Sequence, residues 1–216
     1  MANRKKARFH FFVALIAVVM LTAGCGTKGD ARLTAGNGAE ASVKTMSWDK
    51  MPEMTIDLNK SYIAKFQTTK GDFTVKLFAN EAPVTVNNFV FLARAGFYEG
   101  LSFHRIIESF MIQTGDPKGN GTGTPGYSIP DELSKELKYE EGIVAMANAS
   151  EPNSGGSQFF ICTGPDAANL NREPNYSIFG KVESGMDVVQ AISKTPIKNN
   201  VPTEKIVINS IVIAEE

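Results

Sequence analysis

Apolar and polar residues alternate over several short stretches of the chain, which is the pattern of half-buried β-strands. The first two stretches, residues 62–66 and 73–78, flank a Thr-Thr-Lys-Gly-Asp segment and predict a β-hairpin. Further stretches with this alternation predict strands at residues 103–107, 110–114, 143–148, 158–162, 176–182 and 206–213.

A different period predicts two helices. Pro83 opens the first, Gly96 ends it, and the apolar residues between them recur at the spacing of one helix face. A shorter helix is predicted at residues 186–193. Together these elements predict a mainly β fold, a closed eight-stranded antiparallel β-barrel capped by two helices.

The N-terminus carries the parts of an export signal. Residues 1–24 contain four basic residues and no acidic ones, then an apolar run from Phe11 to Leu21, then small residues that end at Gly24. The uninterrupted apolar run is shorter than the ~20 residues that a membrane-spanning helix needs. We therefore interpret residues 1–24 as a signal peptide.

A cysteine, Cys25, follows this signal directly. The sequence Leu-Thr-Ala-Gly-Cys that ends at Cys25 resembles the bacterial lipobox. This resemblance implies that Cys25 is lipidated, and that the protein is lipid-anchored to the bacterial cell membrane on its extracytoplasmic side. The alternative is ordinary cleavage, which would leave Cys25 as an exposed free thiol, a reactive group in an exported chain.

Composition divides the remaining chain in two. Residues 25–59 are predicted to be the lipidated cysteine followed by a mostly flexible tether, because small and polar residues dominate and no apolar period appears. Within it Trp48, Met51 and Met54 are large apolar residues that could pack on the domain surface instead. Residues 60–216 are the predicted folded domain, long enough to bury its own core.

The net charge argues against a nucleic-acid partner. The whole chain carries −1, and without the four basic residues of the signal peptide 18 Lys and Arg stand against 23 Asp and Glu, a net charge of −5. An acidic protein has no basic surface for a phosphate backbone. Membrane attachment is therefore expected through the lipid on Cys25 and not through a basic patch.

Several chemistries lack the residues they need. His104 is the only histidine after the signal peptide, so we expect no metal site. We also expect no cofactor, because the one match to a cofactor-binding motif does not fit its structural context. Residues 121–126 match G-x-G-x-x-G, but Pro125 interrupts the motif and no helix follows it. No G-x-S-x-G motif is present, so hydrolysis is not expected. Cys162 lies in an apolar strand and is expected to be ordinary core packing.

Polar and apolar side chains share faces of the predicted strands. Alternation places Gln113 beside Met111 and Gln158 beside Phe160, and Arg105 also lies within an apolar stretch. A purely buried face would seldom carry such groups, because an unpaired buried polar group costs about 1–3 kcal/mol. The pattern favours a small apolar pocket edged by amide and guanidinium donors.

The stretches that carry these residues are FHRIIESFMIQTGD at 103–116 and MANASEPNSGGSQFFICT at 146–163. In order and spacing they resemble the active-site motifs of the cyclophilin family of peptidyl-prolyl isomerases, and the resemblance runs from about Tyr62 to Ile213. It implies the barrel architecture given above. It also implies an enzyme that accelerates rotation about X–Pro bonds without a cofactor.

The resemblance further implies the roles of individual residues. Arg105 would be catalytic, and Gln113 would orient it and contact the substrate. The remaining residues would bind the substrate: Phe110, Met111, Phe160 and Leu170 around the proline ring, Asn148 and Gln158 along the peptide backbone with Ala147 in the same motif, and Tyr176 where relatives carry His or Tyr.

The chain departs from the family pattern at a few positions. Glu108 and Ser109 stand where Pro-Gly is usual, and Thr114 and Thr124 stand where Gly is usual. Asn169 takes the place of a Trp that contacts cyclosporin in many members. The first four substitutions bear on the shape of a turn and a loop, and the fifth bears on inhibitor binding.

An Arg beside an apolar cup suits the rotation of an X–Pro bond. The barrier is ~18–20 kcal/mol because the amide nitrogen lone pair is delocalised into the carbonyl. In the twisted transition state the lone pair returns to the nitrogen, so a donor placed there binds the transition state better than the ground state. Arg105 suits this task because a guanidinium stays charged throughout the physiological pH range.

Two functions follow from this site. The first is a monomeric isomerase that assists the folding of exported, proline-containing polypeptides. The second is a non-catalytic binding or chaperone module that uses the same groove. Arg105 separates them, because a pure binder could lose it at little cost and a catalyst could not.

Overall fold

The computed structural model describes residues 46–216, and β-strands dominate them. The strands are β1 (Tyr62–Thr68), β2 (Gly71–Leu77), β3 (Arg105–Ile107), β4 (Met111–Thr114), β5 (Ile143–Met146), β6 (Phe159–Cys162), β7 (Ile178–Ser184), β8 (Ile197–Lys198), β9 (Val201–Pro202) and β10 (Ile208–Glu215). The α-helices are α1 (Pro83–Arg94) and α2 (Met186–Ser193), and a 3-10 helix spans Pro165–Arg172. No helix among these residues is both long and apolar enough to cross a bilayer.

Eight of these strands form one antiparallel sheet in the order β10-β1-β2-β7-β5-β6-β4-β3. The prediction of a mainly β fold is confirmed, but the prediction of a closed barrel is not, because β10 and β3 remain edge strands. Only a bridge between Ser102 and Val207 and a few loop hydrogen bonds connect the two edges. β3 has only three residues, and the Ile106 amide bonds to Asn200 in the β8–β9 hairpin at 2.8 Å instead of to β10.

Helix α1 begins as the sequence predicts, but its N-terminal cap comes from far along the chain. Pro83 occupies the first turn, where its missing N–H is not needed. Ala82 at the N-cap offers no side-chain acceptor. Glu132 supplies it, because its carboxylate accepts the N–H groups of Val84 at 3.0 Å and Thr85 at 2.8 Å. A carboxylate at this end also suits the helix dipole.

The main core lies between α1 and the sheet and is built on aromatic rings. Phe89 of α1 is fully buried and contacts Phe159 and Phe179, with ring centroids 5.5 and 5.3 Å apart. Phe66 and Phe73 stack across the β1–β2 hairpin at 4.5 Å. Burying side chains of this size contributes about 1.5–3 kcal/mol each, so this cluster fixes the sheet on which the site is built.

The turn between β3 and β4 accommodates Ser109, which stands where glycine is usual in the family. Ser109 takes the left-handed conformation that glycine adopts easily, with φ of 58°. Its carbonyl accepts the amide of Asp166 at 3.0 Å, and a side chain at Gly164 would come within 2.5 Å of that carbonyl. Thr114 is also accommodated, since its hydroxyl donates to the carbonyl of Ser102 at 2.9 Å.

Residues 46–59, which the sequence predicted to be part of a flexible tether, pack against the folded domain. Trp48 contacts Phe91 of α1, with ring centroids 5.2 Å apart, and Ile56 is part of the buried core. The alternative interpretation of Trp48 was therefore correct. The predicted signal peptide, the lipidation site at Cys25 and the tether up to residue 45 lie outside the described residues.

Asn87 on α1 holds this segment through four hydrogen bonds. It is buried, and its Oδ1 accepts from the N–H and the hydroxyl of Thr55 at 2.8 and 3.2 Å and from the N–H of Ile56 at 3.3 Å. Its Nδ2 donates to the carbonyl of Glu53 at 3.0 Å. A side chain that satisfies backbone groups in this way fixes the path of the segment.

We expect Asn87→Ala to lower the free energy of unfolding by about 2 kcal/mol, because it leaves buried backbone donors without an acceptor. In a chain that begins at residue 60 those donors are absent, so the same substitution should then change stability by less than about 0.5 kcal/mol. Urea unfolding of the four proteins measures both effects. An equal loss in the two backgrounds would contradict the role assigned to Asn87.

Candidate active site

A second apolar cluster, separate from the main core, gathers the residues predicted to bind proline. Met111 and Phe160 form its buried floor, next to Cys162. The other predicted apolar residues surround the floor and are partly buried: Ala147, Phe110, Leu170 and Tyr176. Residues far apart in sequence thus converge on one apolar cluster, and we call its predicted proline-binding residues the cup.

Aromatic geometry defines the walls of the cup. The Phe160 ring lies 5.3 Å from Tyr176 in an edge-to-face arrangement at 87°. The Phe110 ring lies 6.3 Å from the Phe160 ring, with an angle of 46° between their planes. Such offset and edge-on contacts are the favoured arrangements of aromatic rings. Tyr176 thus contacts Phe160, and its predicted contact with the substrate stays a prediction.

Strand register brings the polar residues to the rim of the cup. Arg105 on β3 lies directly opposite Gln113 on β4, and Gln113 lies opposite Phe160 on β6. Directly opposed residues have Cβ atoms about 4.5–5.5 Å apart and project on the same face of the sheet. Arg105, Gln113 and Phe160 thus lie in one row across three neighbouring strands, on the same face of the sheet.

A chain of hydrogen bonds fixes the guanidinium. Arg105 donates from one terminal nitrogen to Gln113 Oε1 at 3.1 Å, and Gln113 Nε2 donates to Gln158 Oε1 at 3.0 Å. Gln158 Nε2 then donates to the carbonyls of Gly123 at 2.9 Å and Gly121 at 3.1 Å. Arg105 itself is exposed, so its remaining donors are accessible to a peptide lying in the cup. We call this chain of bonds the Gln relay.

Ala147 and Asn148 follow β5 and border the same site. The Ala147 amide donates to the carbonyl of Gln158 at 2.9 Å. The Asn148 side chain donates to the carbonyl of Asn175 at 2.9 Å and accepts the amide of Ser150 at 3.1 Å. Asn148 therefore supports the loop that carries Tyr176, and its predicted contact with the peptide backbone stays a prediction.

A groove lies beside the cup, between the Gly-rich loop at residues 121–126 and the residues that follow β5. It has a volume of about 200 Å³. Its lining includes Gln113 and Gln158 of the relay, residues 121–124 of the loop and residues 147–149. Ala147 belongs to both the groove and the cup, so the two lie side by side.

Asp116 organises the Gly-rich loop and was missed by the sequence analysis. Its carboxylate is buried and accepts backbone N–H groups from Lys118 at 2.7 Å, Asn120 at 2.9 Å and Gly121. A side chain at Gly123 would collide with Asp116 Oδ1, since an added Cβ would lie 1.9 Å from it. The signal available in the sequence was an Asp directly before Pro and a glycine-rich stretch, which is typical of a side-chain-capped turn.

Neither of the other reactive side chains near the site is suited to catalysis. His104 is buried, and burial lowers its pKa, so its ring is neutral near pH 7. Neither of its ring nitrogens bonds to any partner in the described part of the chain. Burial also raises the pKa of the Cys162 thiol to about 12, which keeps it an unreactive packing residue.

Fold and site together define a class of protein. It is a mainly β enzyme with an apolar cup beside a guanidinium that Gln113 holds, and no activated nucleophile lies among the described residues at the cup. Such a site can hold a proline and donate to its amide nitrogen. The sequence model of the family described as cyclophilin type peptidyl-prolyl cis-trans isomerase/CLD matches residues 63–213. The chain belongs to this family and is a cyclophilin-type peptidyl-prolyl cis-trans isomerase.

Curated relatives and solved structures agree with this assignment. Peptidyl-prolyl cis-trans isomerase A of Mycobacterium tuberculosis is 44% identical over 170 residues, which cover 70% of this chain and 91% of the relative. Peptidyl-prolyl cis-trans isomerase B of Streptomyces anulatus is 42% identical over 170 residues, covering 69% and 95%. A cyclophilin-type isomerase of Cryptosporidium parvum, crystallised in the presence of the dipeptide Ala-Pro, has a TM-score of 0.66 and 37% identity, covering 70% of this chain and 98% of that one.

Proposed function

We propose that this isomerase is lipid-anchored through Cys25 on the extracytoplasmic side of a bacterial membrane and assists the folding of exported proteins. The observation that carries the location is the N-terminal sequence, in which a basic segment, an apolar run and Leu-Thr-Ala-Gly-Cys follow one another. Two or more acyl chains on Cys25 are enough for stable membrane association. Newly exported chains are clients that need X–Pro isomerisation, which takes tens of seconds without a catalyst.

In the proposed mechanism Arg105 and Gln113 are the catalytic residues. The cup holds the proline ring through apolar contact, so the preceding carbonyl can rotate while the ring stays in place. As the amide twists, its nitrogen regains a lone pair, and a guanidinium N–H of Arg105 donates to it. Gln113 accepts from one terminal N–H of the guanidinium at 3.1 Å and so restrains its orientation, which leaves other N–H groups for the substrate. This preorganised donor stabilises the twisted state without any proton transfer.

The proposed substrate contacts follow the same geometry. Phe110, Met111, Phe160, Leu170 and Tyr176 surround the proline ring in the cup. The peptide backbone would lie in the groove against Ala147, Asn148 and Gln158, which line it. A single chain contains every one of these residues, which supports action as a monomer.

Lipid labelling and fractionation of the full chain in a bacterial host test the location. We expect the wild type to incorporate an acyl label and sediment with membranes. Cys25→Ser should carry no label and appear as unprocessed or released protein. Cys162→Ala is the matched control, because that thiol is buried and its loss should leave labelling unchanged. Wild-type protein found wholly in the medium without acyl chains would contradict the anchor, whatever its isomerase activity.

A further inference from the structure

Residues 46–59 pack against the domain partly through Trp48, a residue that the proposed mechanism does not use. Its indole lies edge-on to Phe91, with ring centroids 5.2 Å apart, and tilted against Phe97 at 5.9 Å. Edge-on and tilted aromatic contacts of this kind stabilise a structure beyond the area that they bury. Trp48 thereby holds its own backbone at a fixed place on the domain surface.

That backbone is pressed against the Gly-rich loop of the groove. The Trp48 N–H donates to the carbonyl of Pro125 at 2.9 Å. At Gly126, where φ is +99°, an added Cβ would lie 2.4 Å from both the Trp48 carbonyl oxygen and Ser47 Oγ. The approach is therefore closer than any side chain at residue 126 allows. The segment and the loop form one packed unit.

The same loop sets the direction of the Gln relay. The carbonyls of Gly121 and Gly123 accept from the Gln158 Nε2 group. This leaves Gln158 Oε1 to accept from Gln113, so that Gln113 presents its own Oε1 to Arg105. If the loop carbonyls moved away, the side-chain amide of Gln158 could rotate and offer its NH2 group to Gln113. The amide of Gln113 would then turn its oxygen toward Gln158 and its NH2 group toward the guanidinium. Two donors would then face each other, and the guanidinium would lose its fixed orientation.

We propose that Trp48 is a positioning residue for the isomerase reaction. By docking between Phe91 and Phe97 it holds the loop at residues 121–126 in place, and through the Gln relay it holds Arg105. The segment that leads toward the N-terminus is thus part of the support of the active site. This inference rests on the proposed catalytic role of Arg105.

Isomerisation kinetics of the full chain test the proposal. Trp48→Ala should lower kcat/KM about fivefold, within the range that residues coupled through a contact network produce. The measurement is made at a temperature at which thermal unfolding shows the variant to be folded. Trp48→Phe should keep kcat/KM within about twofold of the wild type, because the phenyl ring can still contact Phe91. Met54→Ala, which truncates a half-exposed side chain in the same segment, is the matched control and should have no effect.

A double-mutant cycle separates positioning from general stabilisation. Gln113→Ala removes the link between the loop and Arg105, so Trp48→Ala should cost less than about twofold in that background. If Trp48→Ala does not fold, Gly126→Ala perturbs the same contact from the loop side and should give the same pattern. An equal loss with and without Gln113, or full activity of a folded Trp48→Ala variant, would overturn the proposal. Failure of the catalytic assignment would appear separately, as an active Arg105→Ala variant.

Discussion

Arg105→Ala is expected to lower kcat/KM for proline isomerisation by at least about tenfold, equivalent to ~1.4 kcal/mol of lost transition-state stabilisation. The guanidinium is exposed and bonds to Gln113, at the rim of the cup. Its removal should therefore take away the donor to the twisted amide while leaving the core untouched. The free energy of unfolding should change by less than about 0.5 kcal/mol, as for most surface substitutions.

Two further variants make this result specific. Arg105→Lys should also be impaired, because an ammonium cannot donate to Gln113 and to the substrate with the planar geometry of a guanidinium. Arg172→Ala removes another exposed guanidinium, from the 3-10 helix that carries Leu170, and should leave kcat/KM unchanged. A folded Arg105→Ala variant with wild-type activity would disprove the proposed mechanism.

Cyclosporin is expected to inhibit this isomerase weakly, and Asn169→Trp is expected to tighten the inhibition about thirtyfold, the effect of restoring an aromatic anchor worth about 2 kcal/mol. Asn169 is exposed on the 3-10 helix, directly before Leu170 at the edge of the cup. An indole therefore fits there without disturbing the core. In the proposed mechanism turnover depends on Arg105 and the cup and not on Asn169, so kcat/KM should change less than twofold.

Inhibition curves for the wild type and two variants measure this effect. Ala168→Trp places an indole at the neighbouring exposed position of the same helix and is the matched control, which should not tighten inhibition. Tight inhibition of the wild type would show that another side chain replaces the missing indole. An equal gain from both Trp variants would mean that the aromatic surface acts non-specifically.

Much of the site could be predicted because its residues lie in strands with clear alternation. The motif around Arg105 and Gln113 forms two adjacent strands, so spacing along the chain fixed which side chains would face each other. The β1–β2 hairpin and helix α1 were likewise predicted from local patterns, and both lie within a few residues of the predicted bounds.

What could not be predicted depends on contacts between distant segments. Alternation is the same in a closed and an open sheet, so it could not show that the edge strands β3 and β10 do not pair with each other. The bonds from Asn87 to Thr55, and from Glu132 to the start of α1, join residues whose proximity only the folded chain reveals. Residues 46–59 show no helix or strand period, so the sequence could not show that Trp48 packs on Phe91, that Ile56 is buried, or that Asn87 bonds to the backbone of this segment.

Exchange NMR of a proline-containing peptide with catalytic amounts of the full chain tests the central claim most directly. We expect cis and trans signals of the X–Pro bond to exchange many times faster than in peptide alone, at enzyme concentrations far below that of the peptide. The Arg105→Ala variant should bind the same peptide, but the exchange rate that it produces should be at least about tenfold lower than that of the wild type. Binding-induced shifts with no faster exchange for the wild type would identify a non-catalytic proline-binding module and contradict the account.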